Sequence, residues 1–299
     1  MTTITQSSKA TQSVAVTSGA KVRRRLAQLV KSLVAHGLLL TGSFFFVVPL
    51  FFMLSTSLKA MRQIAKFPPE WFPDPVIWLN YPDVFRYAPM HKYLLNTLII
   101  VIPSIAGAVL TSALAAYAFA RLRAPGKNFI FMLLLSTMML PAVVTMIPTY
   151  IIFSQLGWVG TFKPLVIPQL AGSAFFIFLL RQFFMTIPRE LEDAALIDGC
   201  SRLHIFASII MPLAKPVLAT VTIFAFMGSW NEYLGPLIYL GNQDQYTLSL
   251  GLQVFVQYHR AEWGLLMAAS TMMVLPVILL FFFAQQHFVQ GITLTGIKG

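Results

Sequence analysis

Long apolar runs alternate with short polar segments along most of the chain. An α-helix needs about 20 mostly apolar residues to cross a hydrocarbon core of about 30 Å. Six runs reach or approach that length, and they predict spans over residues 36–57, 94–118, 128–151, 165–185, 216–239 and 263–286. The fourth has the shortest uncharged core, so Arg181 is expected to extend its guanidinium toward the headgroups. The pattern predicts an all-α integral membrane protein with six transmembrane helices.

Composition strengthens this prediction. Hydrophobic residues make up 57% of the 299 positions and charged residues only 10%, whereas a soluble domain carries about 25% charged residues. A soluble core could not bury so much apolar surface, so we expect lipid to cover it. The scattered histidines and the single cysteine, Cys200, show no metal-ligand spacing and allow no intrachain disulfide. We therefore expect no catalytic site and no bound metal.

The basic residues indicate an orientation. Arg23, Arg24 and Arg25 precede the first apolar run, where a cytoplasmic flank carries its cations. With the N-terminus inside, 14 Lys and Arg residues are cytoplasmic and 7 are external, and the opposite orientation inverts that ratio. A basic tail that holds DNA or anionic lipid is the alternative, but the position beside an apolar run favours a cytoplasmic flank. Membrane lipid is the expected partner of the spans, and no nucleic acid is expected. Both termini are expected to be cytoplasmic.

Four regions follow from these assignments. Residues 1–30 are expected to form a disordered, basic cytoplasmic tail. Residues 31–88 hold the first span and the beginning of an external segment, 58–92, that is rich in proline and tryptophan. Residues 89–288 form the main transmembrane domain, and residues 289–299 a second cytoplasmic tail.

The internal loop 186–212 has a helix–glycine–helix pattern. A short helix is predicted between Pro188 and Gly199, with acidic residues in its first turn and the glycine as a left-handed stop. One face of it is expected to present two alanines to another surface, and that face comprises Leu191, Ala194, Ala195 and Asp198. A second helix is predicted from Ser201 to Met211, ending before Pro212. Periodicity alone is equally consistent with a pair of helices that only orders the loop.

The spacing within this loop resembles the EAA loop of binding-protein-dependent ABC importer permeases. The family pattern is Glu-Ala-Ala-x3-Gly-x9-Ile-x-Leu-Pro, and the chain matches it with Asp193-Ala194-Ala195, Gly199 and Ile209-Ile210-Met211-Pro212. Asp193 replaces the glutamate and Met211 replaces the leucine, and both changes keep charge or bulk.

Further segments resemble the carbohydrate branch of that family, and the second permease subunits of maltose-type importers in particular. They are Pro69–Pro75, Asn80-Tyr81, Tyr93–Thr97, Ala116–Arg121, Trp230–Tyr233 and Thr295–Gly299. The resemblance therefore extends over most of the chain.

The resemblance implies a type I importer transmembrane domain. It also implies a heterodimer with a second permease subunit, two copies of an ATPase subunit and an external solute-binding protein. The residues that it assigns to contact with the ATPase are Glu192, Asp193, Ala194, Ala195, Asp198, Gly199, Ile209 and Pro212. The chain has no Gly-x4-Gly-Lys-Ser/Thr motif, so we expect it to bind no cofactor and the partner subunits to hydrolyse ATP.

A carboxylate in the fifth predicted span is a candidate for the translocation path. Glu232 follows Trp230 and Asn231, and an acid inside a membrane needs a partner or water. Three interpretations are open: interhelical hydrogen bonding together with Asn231, lining of the path, and direct contact with sugar hydroxyls. The segment 58–92 likewise remains either an ordered cap over the bundle or a docking surface for the binding protein.

The favoured function is a permease subunit of an ATP-driven sugar importer. Glycerol phosphate, an amino acid or another small polar solute are alternatives within the same class. An ion-coupled secondary transporter is the alternative from a different class, although such proteins usually show internal repeats and buried charge relays. A membrane scaffold without transport would leave the spacing of residues 193–212 unexplained.

Overall fold

The computed structural model describes the backbone of residues 5–257 and 260–296, with side chains for Leu26 and for residues 28–256 and 261–284. The chain separates into two compact units, Met1–Ser55 and Thr56–Gly299. The predicted tail 289–299 lies outside the described side chains.

The first unit is formed by the long helix α1, Thr5–Ser57. Its stretch Gln28–Ser57 is long and apolar enough to cross a membrane and contains the predicted span 36–57. The apolar side chains of that stretch are exposed, Phe46 to 86%, which suits contact with lipid. The structure differs from the expectation of disorder over residues 1–30, because α1 includes residues 5–30. That segment has no proline and a single glycine, Gly19, so nothing in it interrupts helix propagation.

The second unit begins with short helices and continues into the bundle. Its first half contains α2 (Met61–Ile64), α3 (Asn80–Tyr87), α4 (Met90–Arg121), α5 (Lys127–Thr137), α6 (Ala142–Gln155), α7 (Lys163–Val166), the 3₁₀ turn Ile167–Ala171 and α8 (Ala174–Thr186). The second half contains α9 (Glu190–Ile197), α10 (Arg202–Ile205), the π turn Phe206–Ile210, α11 (Met211–Leu213), α12 (Lys215–Trp230), α13 (Leu234–Tyr239), the 3₁₀ turn Gln243–Gln245, α14 (Leu248–Gly251), the 3₁₀ turn Leu252–Phe255, the strands β1 (Val256–Gln257) and β2 (Arg260–Ala261), and α15 (Trp263–Gly296). The two strands pair antiparallel, with Val256 opposite Ala261.

Among the described residues, four helical segments are long and apolar enough to cross a membrane without a sharp bend. They are Gln28–Ser57, Met90–Arg121, Lys163–Thr186 and Trp263–Ala284. Two further pairs pass the same test but are bent, α5 with α6 by 97° and Arg202–Leu213 with Lys215–Trp230 by 82°. Counting each bent pair as one span gives six, the number that the sequence predicts, although the second pair covers residues 202–230 and begins within the predicted loop 186–212.

Three predicted spans are not continuous helices. The span 165–185 is interrupted at Gly172 and Ser173, between the 3₁₀ turn and α8. The span 128–151 is broken ahead of Pro141, whose ring removes a backbone donor and restricts the preceding residue. The span 216–239 is broken after Trp230, so residues 231–233 lie between α12 and α13. The placement of Glu232 within a continuous membrane helix was therefore wrong.

Helix α4 is the centre of the second unit and packs against α8 and α12. Its small residues Ala108, Ser112, Ala113 and Ala116 are buried, and small side chains let neighbouring helices approach closely. Gly107 permits the closest approach, since a Cβ there would lie 2.2 Å from Leu170 Cδ2. Helix α4 contributes residues to both of the functional regions described next.

Candidate functional site

The loop helices, which we define as α9, α10 and α11, follow the predicted helix–glycine–helix pattern. Helix α9 carries Glu190, Glu192 and Asp193 in its first turn and ends at Ile197. Gly199 has φ +80°, a left-handed conformation that glycine adopts without strain, and it turns the chain into the next helix. The Ser201 hydroxyl accepts a hydrogen bond from the backbone N–H of His204 and caps α10.

The end of the second loop helix differs from the prediction. The helical path does not stop before Pro212 but continues to Leu213 through the π turn and α11. A π turn is wider than an α turn. It leaves room for the ring of Pro212, which a regular α turn would place against a carbonyl of the preceding turn.

The loop helices present one exposed face, but its members differ from those predicted. Leu191, Asp193, Ala194 and Asp198 are exposed, and so are Gly199 and Pro212. Ile197 and Leu203 are the most exposed large apolar residues of the loop, at 87% and 72%. Ala195 is only 7% exposed and packs in the core together with Ile205 and Ile210. The prediction that Ala195 lies on the exposed face was therefore wrong. Positions 191, 194, 195 and 198 form a broad stripe along α9, and Ala195 lies at the edge of that stripe that faces the core.

Glu192 also points inward, where it pairs with a cation. Its Oε1 lies 2.9 Å from Nε of Arg121, and the two side chains are 5% and 3% exposed. Arg121 is the last residue of α4, and its Nη2 donates hydrogen bonds to the carbonyls of Phe184 and Ile187. Arg121 thus connects the ends of α4 and α8 to the first turn of α9.

The second oxygen of Glu192 has weaker contacts. The Tyr117 hydroxyl donates to Oε2 at 3.4 Å, and Nη1 of Arg202 lies 3.9 Å away. The Tyr117 ring packs on Phe206 with centroids 5.3 Å apart. Removing one partner of a buried ion pair costs about 3–5 kcal/mol, because the other charge stays buried and unpaired. In this arrangement Glu192 serves the interior, whereas Asp193 is free to meet another protein.

A basic cavity of about 550 Å³ lies beside this ion pair. Arg123, Arg189 and Arg202 line it with exposed side chains, together with Asp193. The surface next to α9 is therefore predominantly positive.

Trp230 and Asn231 have structural partners at the break after α12. Trp230 is 3% exposed, stacks on Phe226 and donates from Nε1 to the Met273 carbonyl at 3.2 Å. It therefore holds α12 against α15. Asn231 donates from Nδ2 to the Met227 carbonyl at 2.9 Å and closes the end of its own helix.

Glu232 is exposed on the wall of a cavity. Its Oε1 accepts a hydrogen bond from the Gly235 N–H at 2.8 Å, at the start of α13. The Ser249 hydroxyl donates to the backbone carbonyl of Glu232. Among the described contacts its carboxylate has no hydrogen bond with Asn231, which leaves the interpretation as a lining residue the best supported of the three.

This central cavity, of about 410 Å³, lies among α4, α7, α8, α12 and α13. Phe176 and Phe224 contribute rings to its wall. Its polar lining comprises Thr97, Ser104, Gln169, Ser173, Ser229, Glu232, Tyr239 and Thr247. Of this set, the sequence predicts only Glu232 as a lining residue. The available signal was a polar side chain inside an apolar span, most clearly Gln169 in the fourth uncharged core.

The segment 58–92 is ordered by internal polar contacts. Glu70 accepts hydrogen bonds from Gln63 Nε2 at 2.7 Å and from Lys66, while its carbonyl accepts one from Lys59 Nζ. These hydrogen bonds, the one from Lys66 foremost, hold the pKa of the Glu70 carboxyl below its ordinary value. Burial lowers the pKa of the Lys59 ammonium. The segment therefore has a fixed shape that depends on the charge of Glu70.

The aromatic residues of this segment divide into two groups. Tyr81 bonds to Ser57 Oγ at 2.9 Å, and Tyr87 stacks on Phe255 with centroids 5.5 Å apart. Trp71 and Trp78 are 54% and 69% exposed. The tyrosines thus hold the segment in place, and the tryptophans are accessible.

In the described part of the chain, no three or more His, Cys, Asp or Glu side chains come together to hold a metal ion.

Comparison with known proteins identifies the family. Residues 107–294 match the family described as "Binding-protein-dependent transport system inner membrane component". The sulfoquinovosyl glycerol transport system permease protein SmoH of Agrobacterium fabrum is 33% identical over 267 residues, which cover 89% of this chain and 93% of that protein. The arabinooligosaccharides transport system permease protein AraQ of Halalkalibacterium halodurans is 33% identical over 221 residues, or 74% and 79% of the two chains.

A solved structure shows the same fold. The match is a chain of a bacterial ABC transporter involved in the import of the acidic polysaccharide alginate, with a TM-score of 0.78 and 23% identity over 87% of this chain and 96% of that one. The bundle therefore has the fold of a type I importer. The chain belongs to the inner membrane components of binding-protein-dependent transport systems, the permease subunits of ATP-driven importers.

Proposed function

We propose that this chain is one of two different permease subunits in an importer of a sugar or sugar-like solute, and that its central cavity lines the solute's path. The polar central cavity inside an apolar bundle is the observation that carries this proposal. Two relatives are named for transport of arabinooligosaccharides and of diacetylchitobiose. Family membership excludes the ion-coupled secondary transporter and the scaffold.

The chemistry of the cavity suits a polyhydroxylated solute. Sugar hydroxyls both donate and accept, and the lining offers both kinds of group in Gln169, Ser229 and Glu232. In a membrane protein such polar groups are unfavourable unless water or a solute reaches them. The rings of Phe176 and Phe224 add apolar surface for the sugar's C–H faces.

Glycerol phosphate suits the cavity less well. The residues that line it include one carboxylate and no lysine, arginine or histidine. An anionic solute would therefore meet repulsion from Glu232 without a compensating cation, and an uncharged solute would not.

The loop helices supply the contact with the ATPase in this proposal. Both termini and the loop face the cytoplasm, where two copies of an ATPase subunit hydrolyse ATP and this chain binds none. Asp193, Ala194 and Gly199, together with the exposed Ile197 and Leu203, enter a groove of that subunit. Ala195 and Ile209 support the helices from behind, and the arginines beside them favour acidic residues on the partner.

The opposite side meets the external solute-binding protein in the same proposal. The segment 58–92 exposes Trp71 and Trp78 there, and large exposed aromatic residues are typical anchors of protein interfaces. The regions 31–88 and 89–288 then correspond to the first span with its external segment and to the transport domain. A crosslinker at Trp71 that never captures the binding protein would contradict the docking role and favour the cap.

Reconstitution tests the function directly. The complete importer is placed in proteoliposomes, and ATP hydrolysis is measured with its binding protein and a panel containing maltose, arabinotriose, diacetylchitobiose and glycerol 3-phosphate. We expect a neutral sugar to stimulate hydrolysis and to be taken up in a vanadate-sensitive way that a protonophore does not change. Uptake that continues without any ATPase subunit would overturn the proposal.

A further inference from the structure

Helix α9 is attached to the bundle through few of its residues. Of its eight positions, only Glu192 and Ala195 are buried. Ala195 and the partly buried Leu196 make apolar contacts with the core, whereas Glu192 makes a buried ion pair with Arg121, in which Nε and Oε1 lie 2.9 Å apart without hydrogen-bond alignment. A sliding force on α9 is resisted by the ion pair more than by the alanine, because packing between small side chains has little directionality.

Arg121 is in turn fixed on the bundle side. Its guanidinium donates to the carbonyls of Phe184 and Ile187 while it pairs with Glu192. Nη2 makes both hydrogen bonds to the carbonyls, and Nε of the same planar group lies 2.9 Å from Glu192 Oε1, so one rigid guanidinium contacts all three elements. The ends of α4 and α8 and the first turn of α9 must therefore move together or break these bonds.

The same two helices form walls of the central cavity. Thr97, Ser104 and Ala108 of α4 face it, and so does Phe176 of α8. A displacement of Arg121 therefore moves both α4 and α8, the helices that carry these lining residues.

We propose that Arg121 and Glu192 are positioning residues that transmit the movement of the loop helices to α4 and α8 and so to the cavity. The proposal rests on the proposed contact between the loop helices and the ATPase. The sequence suggests that Glu192 contacts the ATPase. In this proposal Glu192 instead connects α9 to Arg121 within this chain. Asp193 keeps the outward role.

The test follows cavity accessibility in the assembled importer. Ser229 is replaced by cysteine in a Cys200→Ser background, and its labelling rate with N-ethylmaleimide is measured with and without ATP. A hydrolysis-deficient ATPase subunit holds the ATP-bound state. We expect ATP to change the labelling rate by about fivefold or more, and Glu192→Gln to reduce that change below about twofold, with ATPase subunits still bound in normal amount.

Glu190→Gln is the matched control. Glu190 lies in the same first turn but is exposed, so its substitution should leave the response to ATP unchanged. A full change of the labelling rate on addition of ATP in Glu192→Gln would overturn the proposed role of the Arg121–Glu192 ion pair. Loss of the ATPase subunit from Glu192→Gln would also overturn it, because Glu192 would then be a direct contact. Absence of any response in the parent protein would instead refute the proposed function itself.

A second variant covers failure of Glu192→Gln to fold and insert into the membrane. Arg121→Lys keeps a cation beside Glu192 but lacks the planar fork that bonds the two α8 carbonyls. We expect normal assembly and a partial loss of the response to ATP. A full response in Arg121→Lys would contradict the proposal.

Discussion

At the scale of single residues, neighbouring acids in α9 have opposite environments. Glu192 is buried in an ion pair and Asp193 is exposed, although both lie in the first turn of the same helix. The helical rotation of about 100° per residue separates the two sides. Family spacing identifies the position of the motif, but only the fold shows which carboxylate faces inward.

Gly199→Asp is expected to abolish ATP-dependent uptake while leaving membrane insertion intact. The new side chain takes a left-handed conformation that is unfavourable by about 1–2 kcal/mol, and it adds a charge to the exposed face of the loop. Uptake into vesicles and the amount of folded protein in the membrane are the measurements.

Gly126→Asp is the matched control for this change. Gly126 has φ +74° and open space around it, as Gly199 does, but it lies in the turn before α5. Strain alone would reduce uptake equally in both variants, so equal loss would contradict a specific role of Gly199.

Glu232→Gln is expected to lower the stimulation of ATP hydrolysis by sugar without loss of fold. The amide oxygen can still accept from the Gly235 N–H, so the first turn of α13 is kept, while the charge on the cavity wall is lost. Glu232→Ala removes that hydrogen bond as well and should reduce thermal stability by about 1 kcal/mol. Unchanged sugar affinity and turnover in Glu232→Gln would refute a role in the path.

At the scale of elements, the sequence predicts the helices better than their interruptions. The loop helices and the left-handed Gly199 follow from capping and from glycine chemistry. The bend at Pro141 and the break after Trp230 do not follow, because proline is tolerated in many membrane helices and apolar character continues across both breaks. The residues of the central cavity come from five helices and from the segments between them, such as Gln169 and Glu232, and their convergence depends on packing that no local pattern contains.

Gly107→Ala is expected to destabilise the bundle. The added Cβ would lie 2.2 Å from Leu170 Cδ2 and 3.2 Å from Leu170 Cα, so α4 must separate from the 3₁₀ turn at a cost of about 1–3 kcal/mol. Gly228→Ala is the control, since Gly228 lies in α12, another helix of the bundle, and has nothing within 4 Å of the added atom. The melting temperature of the purified complex should fall for the first variant only.

The segment 58–92 is expected to loosen at acidic pH. Hydrogen bonds hold the pKa of Glu70 below its ordinary value of 4.5 in the folded protein. The stability that Glu70 contributes is therefore present above that value and is lost as the pH falls through the lower folded pKa. Hydrogen exchange of residues 60–75 should increase across this range in the parent protein.

Glu70→Gln should remove this pH dependence and increase exchange already at pH 7. Asp83→Asn serves as the control, because Asp83 forms only an exposed pair with Arg86. An identical pH profile in Glu70→Gln and the parent would show that another group controls the segment.

At the scale of the whole molecule, charge and composition predict the number of spans and their orientation, which the packing of the helices does not. The count of apolar runs, the net charge of +11 and its uneven distribution predict a six-span protein with both termini inside. The exposed apolar side chains of the described spans, such as Leu38 at 71% and Phe283 at 82%, are consistent with lipid or a second permease subunit as their cover. Whether lipid or the second permease subunit covers a given helix depends on the partner subunit, whose sequence is independent of this one.

The proposed orientation places Ser201 on the cytoplasmic side and Asn242 on the external side, and both residues are exposed. In a Cys200→Ser background, a cysteine at position 242 should react with a membrane-impermeant maleimide in right-side-out vesicles, and one at position 201 only in inverted vesicles. The physical reason is the excess of Lys and Arg on the loops that join Ser201 to its neighbouring spans, which resist translocation. Reaction of both cysteines from the same side would refute the six-span count, because an odd number of crossings between positions 201 and 242 is what separates them. Reaction with the sides exchanged would keep the count and invert the orientation, and the loop helices would then face away from any cytoplasmic ATPase.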